Sequence, residues 1–204
     1  MMYKKRIISF IIVYSIVLEA TIVNPHLDTT YFQLHNLKKK SDLLKQQIKK
    51  EKERFIALLK VAEASENNAN KLRALNPGLD RKKSIRYGFL IERYSRLRNL
   101  DSDLVIAIIA VESGVNFNAV SKANAVGLMQ VRPGIWAKQF GLERQSFFDP
   151  EINIKIGTFI LANNIQRFGG TYEAITAYNY GRDVGPCNYT GKVLETYRAL
   201  KEKA

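Results

Sequence analysis

Asp101-Ser102-Asp103-Leu104-Val105-Ile106-Ala107-Ile108-Ile109-Ala110-Val111-Glu112-Ser113-Gly114 is the most apolar helical stretch of the chain, and the other elements are placed around it. Asp101 and Ser102 are N-cap candidates, and Gly114 supplies the stop. Glu112 stands near the C-terminal end, with Val105, Ile108 and Ile109 on its face. A carboxylate is disfavoured there twice over. Desolvation raises its pKa, and the negative end of the helix dipole raises it further. A carboxylic acid held protonated near neutral pH is suited to general acid catalysis. A glutamate snorkelling to solvent from a helix end is the competing reading.

Outward from this stretch the pattern stays helical. Residues 85–98 form a candidate helix before it, and residues 115–126 are non-repetitive after it. Residues 127–140 read as helix despite Pro133-Gly134, with Gly141 as terminator. Asp149-Pro150 is a cap-plus-N1 pair that opens a helix running to Phe168, closed by Gly169-Gly170. Thr171 caps a short helix ending near Gly181, and residues 188–203 make the last one. No strand alternation and no βαβ order appears, so the expected fold class is mainly α.

The front of the chain has a different character. Lys4-Lys5-Arg6 precedes the apolar run from Ile7 to Leu18, the proportions of a signal peptide with a cleavage site after Ala20. Extended to Val23, the run includes Glu19 and is marginal against the roughly 20 residues that span a bilayer. Residues 1–23 are therefore expected to be a signal peptide or a membrane anchor. Leu34, Leu37, Ser41, Leu44, Ile48, Glu51, Phe55, Leu58, Ala62, Ser65, Ala69 and Leu72 follow a 3-4 alternation in a Lys- and Glu-rich background. Residues 34–75 are accordingly a basic amphipathic helix, open to coiled-coil pairing or to docking on the globular part. Asn76-Pro77-Gly78 ends it, a linker is placed at 76–83, and the globular domain is placed at 84–204.

The net charge of +13 is concentrated before the globular half: residues 71–99 carry +7 and residues 100–204 only +1. A basic front points to an anionic contact, either a lipid surface, a cell-envelope assembly or the carboxylates of a cell-wall polymer. Nucleic acid is disfavoured by the export signal and by the lack of a basic-aromatic cluster beyond residues 81–98. Cys187 is the single cysteine, so no internal disulfide forms, and His26 and His35 both lie in the front segment. Histidine catalysis and a histidine zinc site are thereby excluded from the globular half, which leaves carboxylate chemistry, with no metal and no organic cofactor.

Three motifs give that chemistry a direction. Glu112-Ser113-Gly114 is followed by Asn116-Phe117-Asn118-Ala119-Val120-Ser121, then by Ala125-Val126-Gly127-Leu128-Met129-Gln130, and later by Ala177-Tyr178-Asn179-Tyr180-Gly181. Their order and spacing resemble the family 1 lytic transglycosylases, whose catalytic domain is related to goose-type lysozyme, over about residues 84–200. The resemblance implies a lysozyme-like helical domain outside the cytoplasm, with peptidoglycan glycan strands as substrate. It implies Glu112 as the catalytic acid/base, with Ser113 orienting it or the substrate. Met129 and Gln130 would provide the floor and hydrogen-bonding groups of the sugar groove. Tyr178 would bring its hydroxyl near the glutamate, and Asn179 would bind or support the groove. Phe117, Asn124 and the continuation Tyr180-Gly181-Arg182-Asp183 depart from the family pattern and bear on specificity.

Glycosidases ordinarily flank the bond with two carboxylates. After Glu112 the next acidic residue is Glu143, and Asp101 and Asp103 belong at the other end of the helix. This favours a single-carboxylate route ending in a 1,6-anhydro-muramoyl product. A hydrolytic muramidase and a non-catalytic glycan-binding scaffold are the alternatives.

Overall fold

The computed structural model describes residues 25–181 and 188–202. The expected signal or anchor at 1–23, the Arg182-Asp183 departure and Cys187 lie outside the described residues. Among these, seven α-helices and one 3-10 turn follow one another: α1 Pro25–Leu75, α2 Arg81–Leu97, α3 Ser102–Ser113, α4 Pro133–Phe140, the 3-10 turn Arg144–Phe148, α5 Pro150–Phe168, α6 Thr171–Tyr180 and α7 Asn188–Glu202. The mainly α expectation holds: the only β pairing among the described residues is two isolated bridges. None of the described helices is long and apolar enough to cross a membrane. The chain divides into two compact units, Met1–Ala57 and Leu58–Ala204.

The apolar stretch is the central helix of the second unit. An apolar helix without a polar face is stable only when covered on all sides. α3 packs against α2 and α7, while α5 packs against α2 and α6. Val105, Ile106, Ile108 and Ile109 are fully buried, each contributing roughly 1.5–3 kcal/mol of hydrophobic stabilisation before chain entropy is counted. Asp101 caps α3 by accepting the Asp103 N–H at 2.9 Å. Gly114 ends it at φ 58°, returning its N–H to the Ala110 carbonyl. The Asp149-Pro150 pair opens α5 as expected, with Asp149 Oδ1 accepting the N–H groups of Glu151 and Ile152.

Two expectations need correction. The helix read at 127–140 exists only over Pro133–Phe140. Proline has no N–H to donate, so it begins the helix instead of continuing one. The residues before it fold back on themselves, with Val126 bridged to both Val120 and Val131. Thr171 is the first residue of α6 and not its cap, a place taken by Gly170 without a side-chain bond.

The domain boundary also moves. The compact unit begins at Leu58 and not at Ser84. Ser65, Asn68, Ala69 and Leu72 of α1 are buried in it, Asn68 donates to Glu92 at 3.2 Å, and Lys71 pairs with Asp103 at 2.7 Å. Gly88 of α2 sits so close to the Ser65 carbonyl that a Cβ would collide with backbone. The Asn76-Pro77-Gly78 turn is real, but it is a tight corner inside the unit. Asn76 Oδ1 accepts the Gly78 N–H, and its Nδ2 donates to the Gly114 carbonyl at 3.1 Å.

Candidate active site

Glu112 occupies the last turn of α3 and is partly open to solvent. Burial is the larger influence on it and raises its pKa from 4.5 to about 7, against a hydrogen bond from Tyr189 that lowers it. That bond runs from the Tyr189 hydroxyl at the start of α7 to Glu112 Oε1, 2.7 Å away. A carboxyl group whose pKa is raised toward neutrality can both give and take a proton without a large energetic penalty.

The chain turns sharply after Glu112. Gly114 and Val115 both adopt positive φ, 58° and 63°. For a β-branched residue such as Val115 this conformation is strained, and it is held here by complete packing of the side chain. Ser113 directs its hydroxyl to the carbonyls of Ile109 and Leu128 at 3.1 and 2.8 Å. It thus ties the end of α3 to the 120–131 segment, and its proton is committed to main-chain partners.

That segment is built on Asn153, a buried residue of α5. Its Nδ2 donates to the carbonyls of Val126 and Phe147, both at 2.8 Å. Its Oδ1 accepts the Met129 N–H at 2.7 Å. Every polar atom of this amide is therefore engaged, as burial demands. Gly127, at φ 79°, lies against the amide so tightly that any Cβ would overlap it.

The remaining motif residues separate into two groups. Met129 is completely buried, so its side chain packs into the core against Gly157 and offers no floor to a sugar groove. Gln130, at φ 47°, spends its amide nitrogen on the carbonyls of Ala119 and Gly127 and braces the turn. Tyr178 is near Glu112, but its hydroxyl donates to the Met129 carbonyl at 2.8 Å and not to the carboxylate. Burial, then the charge of Glu112, push its phenol well above the ordinary value, so it remains a donor. Asn179 is exposed at the end of α6.

Tyr189 and Asn153 escape the motif reading. Each reaches its partner across the fold, and an aromatic or an asparagine on a helix carries no local mark of such a role. For Asn153 the one available signal is a polar residue among Ile152, Ile154 and Ile156. Asp101 and Asp103, at the far end of α3, bind Tyr197, Lys201 and Lys71, about 15 Å along the axis from Glu112.

Residues 89–185 match the family described as the transglycosylase SLT domain. The globular half of this chain is similar to an SLT domain. Its relatives include membrane-bound lytic murein transglycosylase C of Cronobacter sakazakii, 35% identical over 139 residues, which are 60% of this chain and 36% of that protein. Membrane-bound lytic murein transglycosylase E of Buchnera aphidicola is 41% identical over 87 residues, 37% of this chain and 41% of the relative. A transglycosylase of Enterobacteria phage PRD1 is 34% identical over 107 residues, half of this chain and 39% of its own length. The chain thus spans about two-fifths or less of the relatives it matches. Among solved structures, an inactive mutant of lytic transglycosylase Slt from Pseudomonas aeruginosa aligns at 26% identity and a TM-score of 0.49. That alignment covers 55% of this chain and 23% of the other.

Proposed function

We propose that this protein is a peptidoglycan lytic transglycosylase in which Glu112 acts first as acid and then as base. The observation that carries the reading is a half-buried carboxylic acid with a pKa of about 7 at the end of the most apolar helix of a domain similar to the SLT family. The protonated Glu112 gives its proton to the glycosidic oxygen as the bond to the anomeric carbon of N-acetylmuramic acid breaks. The acetamido oxygen of that sugar shares the positive charge that develops. Glu112, now ionised, removes the proton of the C6 hydroxyl as that oxygen attacks the anomeric carbon. Water is neither consumed nor released, and the product carries a 1,6-anhydro end.

In this reading Tyr189 positions the carboxyl group and holds its pKa down against burial. Ser113 and Tyr178 act indirectly by fixing the Leu128-Met129 backbone beside it. Asn179 is left as the exposed amide for substrate. The front of the chain would hold the domain at the outer face of the cytoplasmic membrane, within reach of the wall.

The test is the product released when the full chain, in mild neutral detergent, is incubated with purified peptidoglycan. Mass spectrometry is expected to show muropeptides one water lighter than hydrolytic products, abolished by Glu112→Gln. Reducing ends would instead assign a hydrolytic muramidase. Glycan binding without any product would leave a scaffold.

A further inference from the structure

The part of α1 that lies in the first unit carries an apolar seam that nothing in the described chain covers. In a heptad register, Leu34, Ser41, Ile48 and Phe55 take position a, and Leu37, Leu44 and Glu51 take position d. Leu34, Leu37, Ile48 and Phe55 stand 61–67% exposed, and Leu44 is exposed as well. Leu43 and Ile56 are exposed outside the seam. A stripe of two positions in seven over several turns is the geometry of a helix that pairs with another helix.

The flanking positions say which kind of helix. Position e holds Lys38, Lys45 and Lys52, and position g holds Lys40, Gln47 and Arg54. No acidic residue occupies either flank. The three acidic residues of the segment sit elsewhere: Asp42 at b pairs with Lys45, Glu51 in the seam pairs with Arg54, and Glu53 takes the outer position f. A parallel second copy would set Lys40 against Lys45 of the other helix and Glu51 against Glu51. An antiparallel copy would set the e lysines against one another. Like charges across these flanks oppose pairing in both orientations. A membrane surface fits less well. Helices that lie on lipid present a broader apolar arc, and Glu51 falls within this one.

We propose that residues 34–57 are one strand of a heterotypic coiled coil. The partner is a helix of another protein, with acidic e and g positions and a basic or amide residue at the layer facing Glu51. Opposite charge on both flanks then supplies attraction where self-pairing meets repulsion, and it selects partner and register together. The second unit is thereby tethered to whatever carries the acidic helix.

The experiment uses the full chain in neutral detergent and a synthetic helix with Ile and Leu at a and d, Glu at e and g, and Lys at the Glu51 layer. Fluorescence anisotropy is expected to show binding about tenfold tighter than for a peptide of the same composition with the heptad order scrambled. Binding should weaken as salt is raised, and replacing Glu by Lys at e and g should abolish it. The variant Leu44→Ala/Ile48→Ala/Phe55→Ala keeps the best helix former at each position, so its circular dichroism should be unchanged while binding falls by about tenfold. Equal binding of the scrambled peptide would reduce the effect to bulk charge and overturn the proposal. So would a concentration-dependent dimer in sedimentation that the alanine variant loses, which would assign a second copy. Vesicle binding to phosphatidylglycerol lost in the same variant, with no peptide binding, would assign lipid instead.

Discussion

The Tyr189 hydroxyl donates to Glu112 Oε1 across 2.7 Å, although 77 positions separate the two residues in the chain. This bond stabilises the carboxylate form and so opposes the burial that raises the Glu112 pKa to about 7. The two influences together set how readily one group gives and then recovers a proton.

Tyr189→Phe removes the opposing influence, so the Glu112 pKa should rise above its present value. An acid must be protonated to act, so activity in the native chain falls as pH rises through about 7. In the variant this falling limb should move to higher pH. The maximum rate should drop by about tenfold as the carboxyl group loses its orientation. A pH profile of kcat/KM on purified peptidoglycan checks both. A lower rate with an unmoved limb would leave Tyr189 a packing residue.

Glu112→Gln should stabilise the fold at and above neutral pH. A carboxyl group whose folded pKa lies above its unfolded value keeps its proton in the folded chain while the unfolded chain loses it. Native stability therefore declines between pH 4.5 and about 7 and levels off beyond. Glutamine carries no such penalty. The variant should gain about 3 kcal/mol at pH 8 and very little at pH 4. Urea titrations of both chains at the two pH values measure the difference.

Asn153→Ala strands the Met129 N–H and the Phe147 carbonyl in the interior, while the Val126 carbonyl keeps only the Val131 N–H. Unsatisfied buried groups cost about 1–3 kcal/mol each, less than additively, and a loss of about 3 kcal/mol is expected. Activity should fall with it, because the same amide shapes the segment against which Ser113 is tied. Denaturant midpoint and turnover, measured together, test the coupling.

Lys71→Met should cost about 1–2 kcal/mol, because the buried Asp103 carboxylate loses its nearest cation and keeps only the half-exposed Lys201 at 3.4 Å. Arg54→Ala removes an exposed partner of Glu51 and should change stability by less than about 0.5 kcal/mol. A chain starting at Leu58 is expected to unfold in one cooperative step. A chain starting at Ser84 would lack Asn68, Lys71 and Leu72 and should melt broadly. Differential scanning calorimetry separates the two.

Local pattern determined much of this protein. Asp101, Gly114 and Asp149-Pro150 announce helix ends through the hydrogen bonds their neighbours lack, and the apolar run from Leu104 places Glu112 where a carboxylic acid stays protonated. Those signals are complete within one or two helical turns, so a single stretch of sequence expresses them. Periodicity read across Pro133 failed because a pattern of apolar residues takes no account of the N–H that proline lacks.

Tertiary structure decided the rest. Whether Asn76-Pro77-Gly78 is a linker or a corner depends on what Asn68 and Leu72 meet on the other side, and the turn residues are the same in both cases. Met129 and Gln130 look alike as groove residues in the motif, yet one is sealed in the core and the other braces a turn. Tyr189 reaches Glu112 only when α7 packs on α3. Contacts of this kind are made by closing long loops, and they follow from how whole faces pack together. A residue's immediate neighbours in sequence carry no record of them.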